Sequence, residues 1–151
     1  MEILEAKKEA VLLLAHHGLL DKGWYFEFDN AKRAFGRCYL GQKKITLSKP
    51  LTLLNSLEKV TDVILHEIAH ALVGSGHGHD AVWVAKALEI GCNGKRCYGD
   101  EVTKPKGKYL AVCCNCGKEY PRYKKPVGNL WCKCDNRKWL KESILVWNKL
   151  G

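Results

Sequence analysis

The residues with the greatest chemical capacity are His66 and His70, which flank Glu67 in the run His66-Glu67-Ile68-Ala69-His70. On a helix, positions four apart stand one above the other, so both imidazoles can reach the same metal ion. A glutamate between them lies beside the open coordination position and can take a proton from a metal-activated water. The pattern arises by chance on amphipathic helices. Here two histidines and a carboxylate interrupt the apolar run 63–72, where as plain core they would leave buried polar groups without partners. That favours catalysis over a structural helix.

A catalytic zinc usually takes three protein ligands and leaves a fourth position for water. His77, His79, Asp80 and Glu89 are the candidates for the third. The metzincin pattern would need Gly at 73 and His at 76, and the chain has Val73 and Gly76. Glycines at 74, 76 and 78 let the backbone turn back towards the first two histidines, and His79 is preferred, with His77 behind it.

The second constellation is made of thiols. Five of the eight cysteines fall between 113 and 134: Cys113, Cys114 and Cys116 form one knuckle, Cys132 and Cys134 the other. Cys113, Cys116, Cys132 and Cys134 have near zinc-ribbon spacing, and four thiolates on one Zn²⁺ can order a short segment with very little core. The second knuckle has one residue between its cysteines where two are usual, which leaves Cys114 as an alternative to Cys113. Around them stand Lys118, Arg122, Lys124, Lys125, Lys133, Arg137 and Lys138, interleaved with Tyr120, Tyr123, Trp131 and Trp139. Cations neutralise phosphates and aromatic faces stack on unpaired bases, a combination suited to single-stranded or junction DNA without base-specific readout. Tyr120 and Trp131 read more simply as the ribbon's own core.

The elements that must position these groups follow from periodicity and punctuation. An amphipathic helix is expected over 3–20, with Ile3, Leu4, Val11, Leu12 and Leu14 on its apolar side and a stop near Gly18. Strands are expected over 24–28, 36–40 and 44–47. Asn55 and Glu58 have capping-box spacing ahead of a helix that runs to Gly74 and carries the histidines. Asp80 can cap a second helix through Ile90, ended by Gly91. A Gly- and Lys-containing loop follows over 92–108, then a small β module and a terminal strand or short helix over 138–150. This divides the chain into residues 1–104 and 105–151.

The chain has 151 residues and a formal charge of +9, too short for a large multidomain machine. Residues 101–151 hold 12 Lys and Arg against 4 Asp and Glu, while residues 1–100 hold 13 against 12, so nearly all the excess sits in the last third. Such a segment attracts polyanions, nucleic acid first. No apolar run is long enough to span a bilayer, and the N-terminal stretch lacks the basic-then-apolar pattern of a secretion signal. The expected location is therefore the cytosol, near the nucleoid in a bacterium, with reduced thiols that serve as metal ligands or, like Cys38, as buried packing groups; Cys92 and Cys97 could bind a further metal, and packing or a local structural role is preferred for them.

Four segments together resemble the SprT-like zinc metalloproteases: Ala34-Phe35-Gly36-Arg37-Cys38, Ile45-Thr46-Leu47-Ser48, the histidine run, and Gly76-His77-Gly78-His79-Asp80-Ala81-Val82-Trp83. In that family the third ligand commonly stands four residues before an aromatic, which here places it at His79, although Asp80 replaces the usual glycine. The resemblance implies an α+β, minimal zincin-like domain, a short sheet packed on two zinc-bearing helices plus an N-terminal helix, followed by a small β zinc ribbon. It also implies a zinc endopeptidase with a protein substrate, and some members act on proteins crosslinked to DNA. Two other readings remain: a nucleic-acid-binding adaptor with a structural or vestigial zincin site, and a DNA-independent bacterial or phage regulatory protease.

Overall fold

The computed structural model describes residues 1–99, 101–134 and 144–151. It divides into two compact units, Met1–Pro105 and Lys106–Gly151. The first contains α1 (Ile3–His16), β1 (Tyr25–Asp29), β2 (Gly36–Tyr39), β3 (Lys44–Ser48), α2 (Lys49–Leu54), α3 (Leu57–Val73) and α4 (Ala81–Glu89). The architecture is α+β.

β3 is the centre of the first sheet, parallel to β1 and antiparallel to β2. It is covered on both faces, so Ile45 and Leu47 enter the core while Thr46 and Ser48 are also buried. Their hydroxyls are therefore paired: Thr46 donates to Asp29 Oδ2 at 2.8 Å and Ser48 donates to the Ala31 carbonyl at 2.6 Å. Ser48 Oγ also accepts from the Leu51 N–H and, with Pro50 in the first turn, starts α2, a helix the periodicity did not reveal.

Of the large apolar residues expected on the inner side of α1, Leu14 is buried as expected, but the stripe that packs runs otherwise through alanines. Ala6, Ala10 and Leu14 are buried, whereas Leu4 is 75% and Leu12 65% exposed. Spacing of four places the two alanines and Leu14 on one face, and the small side chains let the helix lie close to the core. The main cluster joins this stripe to Ile45 and Leu47 of the sheet and to Val60, Val63, Ile64 and Ile68 of α3. A second cluster, Leu65, Ala69, Trp83, Ala87 and Cys92, fastens α4 to the neighbouring face of α3.

The start of α3 also differs from expectation. Its N-cap is Ser56, whose hydroxyl accepts from the Lys59 N–H. Asn55 instead staples two distant segments. Its Nδ2 donates to the carbonyls of Leu51 and Thr103, and its Oδ1 accepts from the Thr103 N–H at 2.9 Å. That triple contact anchors the end of the 92–105 segment, whose Val102 is buried in the main core.

The second unit is a three-stranded antiparallel sheet with β4 (Tyr109–Val112) between β5 (Glu119–Arg122) and β6 (Asn148–Lys149). Among the described residues its core is Ala111, Cys113, Cys132 and Leu145, with Tyr120 and Trp147 packed against it. Such a core is too small to hold a fold without reinforcement. Arg137, Lys138 and Trp139 lie outside the described residues, as does part of the 138–150 segment; its described end forms β6. No helix among the described residues is long and apolar enough to cross a membrane.

Candidate metal centres

α3 presents His66 and His70 one turn apart, and the Gly74–Gly78 turn brings His79 back over them. Gly74 and Gly76 have φ of +78° and +87°, a region that side-chain-bearing residues rarely occupy. The three Nε2 atoms converge, with 3.0 Å between those of His66 and His79 and 3.2 Å between those of His70 and His79. All three lie within 4.8 Å of one another. Nitrogens about 2.0–2.1 Å from a shared tetrahedral zinc would be about 3.3 Å apart, so the donor set and its spacing fit that ion.

The other candidates for third ligand are elsewhere. His77 Nδ1 and Asp80 Oδ2 pair at 2.7 Å, Asp80 Oδ1 accepts the Trp83 N–H as the α4 cap, and Glu89 pairs with Lys86 on the surface. Asp80 thus ties both ends of the turn that carries His79. At the position where the resemblance leads one to expect glycine, the Asp80 carboxylate braces the turn that carries His79.

The imidazoles stand on Trp83, which is fully buried. Its ring lies 4.6 Å from those of His66 and His79 and stacks at 5.2 Å on that of His70. Tyr98 closes the other side, 5.5 Å from His66 and 6.0 Å from Phe35. Burial lowers the proton affinity of all three histidines. His66, also facing His70 and His79, is depressed to about 3 and His70 to about 4, and the charge of Arg96 adds to the depression of His79. At neutral pH all three rings are uncharged, the form that binds a metal.

Glu67 is 6% exposed and His66 5%. Burial pushes the Glu67 carboxyl up to about 8, close to what a group that must both take and return a proton near neutrality requires. Its neighbour across the gap is Gly36 of β2. A Cβ there would meet Val63 Cγ1 at 2.8 Å and Glu67 Cγ at 2.9 Å. The strand can approach the glutamate only because residue 36 has no side chain. The same cleft, of about 440 Å³, takes in the three histidines, Glu67 and Gly36, with Phe35, Tyr98 and Val102 in its walls.

In the second unit the four thiols of Cys113, Cys116, Cys132 and Cys134 lie within 4.8 Å of one another. Cys113 Sγ is 3.8 Å from Cys134 Sγ, and Cys116 Sγ is 3.5 Å from Cys132 Sγ. Thiolates about 2.3 Å from a tetrahedral zinc would be about 3.8 Å apart, so the cluster fits a zinc ribbon despite its shortened knuckle. Cys114 is exposed and outside the group. The Tyr120 hydroxyl donates to Cys132 Sγ at 2.9 Å, and that hydrogen bond leads in lowering the thiol to about 6.

The cations of this unit fall into two kinds. Lys118 stands 5.5 Å over the Tyr120 ring and Arg122 5.8 Å over Trp147, so those aromatic faces are already covered by charges of the same chain. Lys124, Lys125 and Lys133 are exposed. Cys38 and Cys92 are packing groups, with burial raising their thiols to about 12 and about 11, while Cys97 is exposed on the rim of the histidine cleft.

The sequence pattern of the SprT-like family matches residues 12–104, and the chain belongs to that family. Among solved structures it is similar to the metallopeptidase zymogen of Pyrococcus abyssi abylysin, at 20% identity and a TM-score of 0.42, over 54% of this chain and 87% of that one. No curated protein matches the chain. Sequence reasoning used Trp83 only as a marker for counting and had no signal for Tyr98, Arg33, Arg96 or Lys104, which reach the cleft from segments far apart in the chain.

Proposed function

We propose that the chain is a zinc-dependent endopeptidase. The observation that carries this reading is the convergence of three neutral imidazoles at one point, with a buried glutamate beside them in an open cleft. His66, His70 and His79 would hold the zinc, which when bound supplies an acidified water and polarises the scissile carbonyl. Glu67 would accept a proton from water on its carboxylate as the water oxygen bonds to the scissile carbonyl carbon, and would deliver it to the amine nitrogen as the C–N bond breaks. β2 is an edge strand of its sheet, and its first residue, Gly36, lines the cleft with the preceding Ala34 and Phe35, so an extended peptide can add to it through backbone hydrogen bonds. The Cys113, Cys116, Cys132 and Cys134 site would hold a second, structural zinc.

The substrate we assign is protein bound or crosslinked to DNA, with the second unit as a sequence-independent single-strand or junction binder. The charge excess of residues 101–151 and the exposed Lys124, Lys125 and Lys133 support it. The test is cleavage of a DNA-binding protein by wild type and Glu67→Gln with no DNA, duplex DNA and single-stranded DNA. Wild-type cleavage that requires DNA supports the whole reading. Cleavage indifferent to DNA leaves a dedicated protease, and DNA binding without cleavage leaves an adaptor.

A further inference from the structure

The cleft that contains the histidines and Glu67 is also lined by Arg33, Arg96 and Lys104. They arrive from three places: Arg33 from the turn between β1 and β2, Arg96 from the segment after α4, and Lys104 from the end of the first unit. All three are exposed. Among the described residues none of them forms an ion pair, the pairs there being Lys44 with Glu27, His77 with Asp80, and Lys86 with Glu89. Among the described residues the one acidic side chain in the lining is Glu67. Three cations with no ion pair among the described residues therefore line a concavity with apolar walls, where low-polarisability surroundings focus their field.

We infer that Arg33, Arg96 and Lys104 form a specificity rim that selects peptide substrates carrying acidic side chains beside the scissile bond. The inference rests on the endopeptidase reading and narrows its substrate class. Phosphates are the competing anion. The shape favours carboxylates: a cleft of about 440 Å³ is of the size that takes a few side chains, and a duplex cannot enter it. Phe35, Tyr98 and Val102 supply the apolar wall that a peptide's neighbouring side chain would cover.

The experiment compares peptides on one scaffold with Glu, Gln or Lys within two positions of the scissile bond, read as kcat/KM at low and high salt. Exposed ion pairs of this kind predict a preference of about two- to fivefold for each Glu over Gln in low salt, and its near disappearance when the Debye length falls to about 3 Å at 1 M. In Arg33→Gln/Arg96→Gln/Lys104→Gln the ratio falls to about one, and in Arg96→Glu it shifts towards Lys. Binding of the same peptides, labelled for fluorescence anisotropy, to Glu67→Gln with and without a zinc chelator reads the rim without turnover. The acidic peptide is expected to bind tightest in both conditions. Intact cleavage with equal handling of Glu, Gln and Lys peptides overturns the rim and leaves the peptidase standing. Ordered binding without cleavage of any peptide by wild type upholds the rim and removes the peptidase. If the triple variant loses DNA affinity while its peptide preference is unchanged, the rim belongs to phosphate and the inference is overturned.

Discussion

Gly36→Ala is the most informative single change, because it adds one carbon at the point where the sheet touches the Glu67 carboxylate. The new Cβ would stand 2.8 Å from Val63 Cγ1, 2.9 Å from Glu67 Cγ and 3.0 Å from Glu67 Oε1. Val63 and Glu67 are both buried, so neither can swing into solvent to make room. Either β2 lifts from α3 or Glu67 moves. Overpacking of this kind costs about 1–3 kcal/mol. A displacement of the general base by about 1 Å lowers the rate about a hundredfold. Urea unfolding of the two proteins reads the first effect and kcat/KM the second, with zinc content measured in parallel to show that the histidines still bind. Gly41→Ala is the control, because a Cβ at 41 meets nothing within 4 Å and stability should change by under about 0.5 kcal/mol. Wild-type stability together with wild-type activity in Gly36→Ala would refute the seating of β2 against Glu67.

Glu67→Gln should abolish cleavage with zinc retained, and in chelator it should be more stable than wild type at high pH. The unfolded carboxyl ionises near 4.5 and the folded one near 8, so wild-type stability falls as pH rises between those values and is flat above them. The gap approaches about 4 kcal/mol at pH 8, and urea midpoints that stay parallel from pH 5 to 8 would contradict the burial argument. Asp80→Ala removes the α4 cap and the tie to His77, with an expected loss of about 1 kcal/mol in stability and weaker zinc binding at the histidines, measured by chelator competition. Cys132→Ser should release one of two zinc ions and unfold the second unit while peptide cleavage persists; retention of both ions would exclude the four-thiol site. Asn55→Ala strands the Thr103 backbone groups and should raise proteolytic nicking within 92–105, an effect absent from a merely local role.

Much of the candidate site was open to sequence reasoning because its chemistry lies in short-range spacing. His66, Glu67 and His70 share a face through helical geometry alone, and Asp80 caps α4 because a carboxylate three residues before Trp83 can reach that N–H. The cysteine knuckles and the concentration of charge after residue 100 are likewise properties of the chain before it folds. Where local signals compete, contacts between distant segments decide. Asn55 and Ser56 both suit a helix start, and the choice fell to Ser56 because Thr103, 48 residues away, claims the Asn55 side chain. Large apolar residues on α1 other than Leu14 mark the wrong stripe for a similar reason: close packing on the sheet favours Ala6 and Ala10 over Leu4 and Leu12.

What the sequence determined by itself, then, is which groups are candidates to ligate a metal and carry a proton and their placement on helices, since these depend on residue type and on intervals of three to five. Only the tertiary structure decided which of His77 and His79 joins the pair, which tryptophan supports the rings, and which glycine admits a strand beside Glu67. It also decided that Arg33, Arg96 and Lys104 share one cleft. Those outcomes depend on distances between segments separated by many residues, and such distances are set by how whole faces pack, a quantity that no local interval encodes.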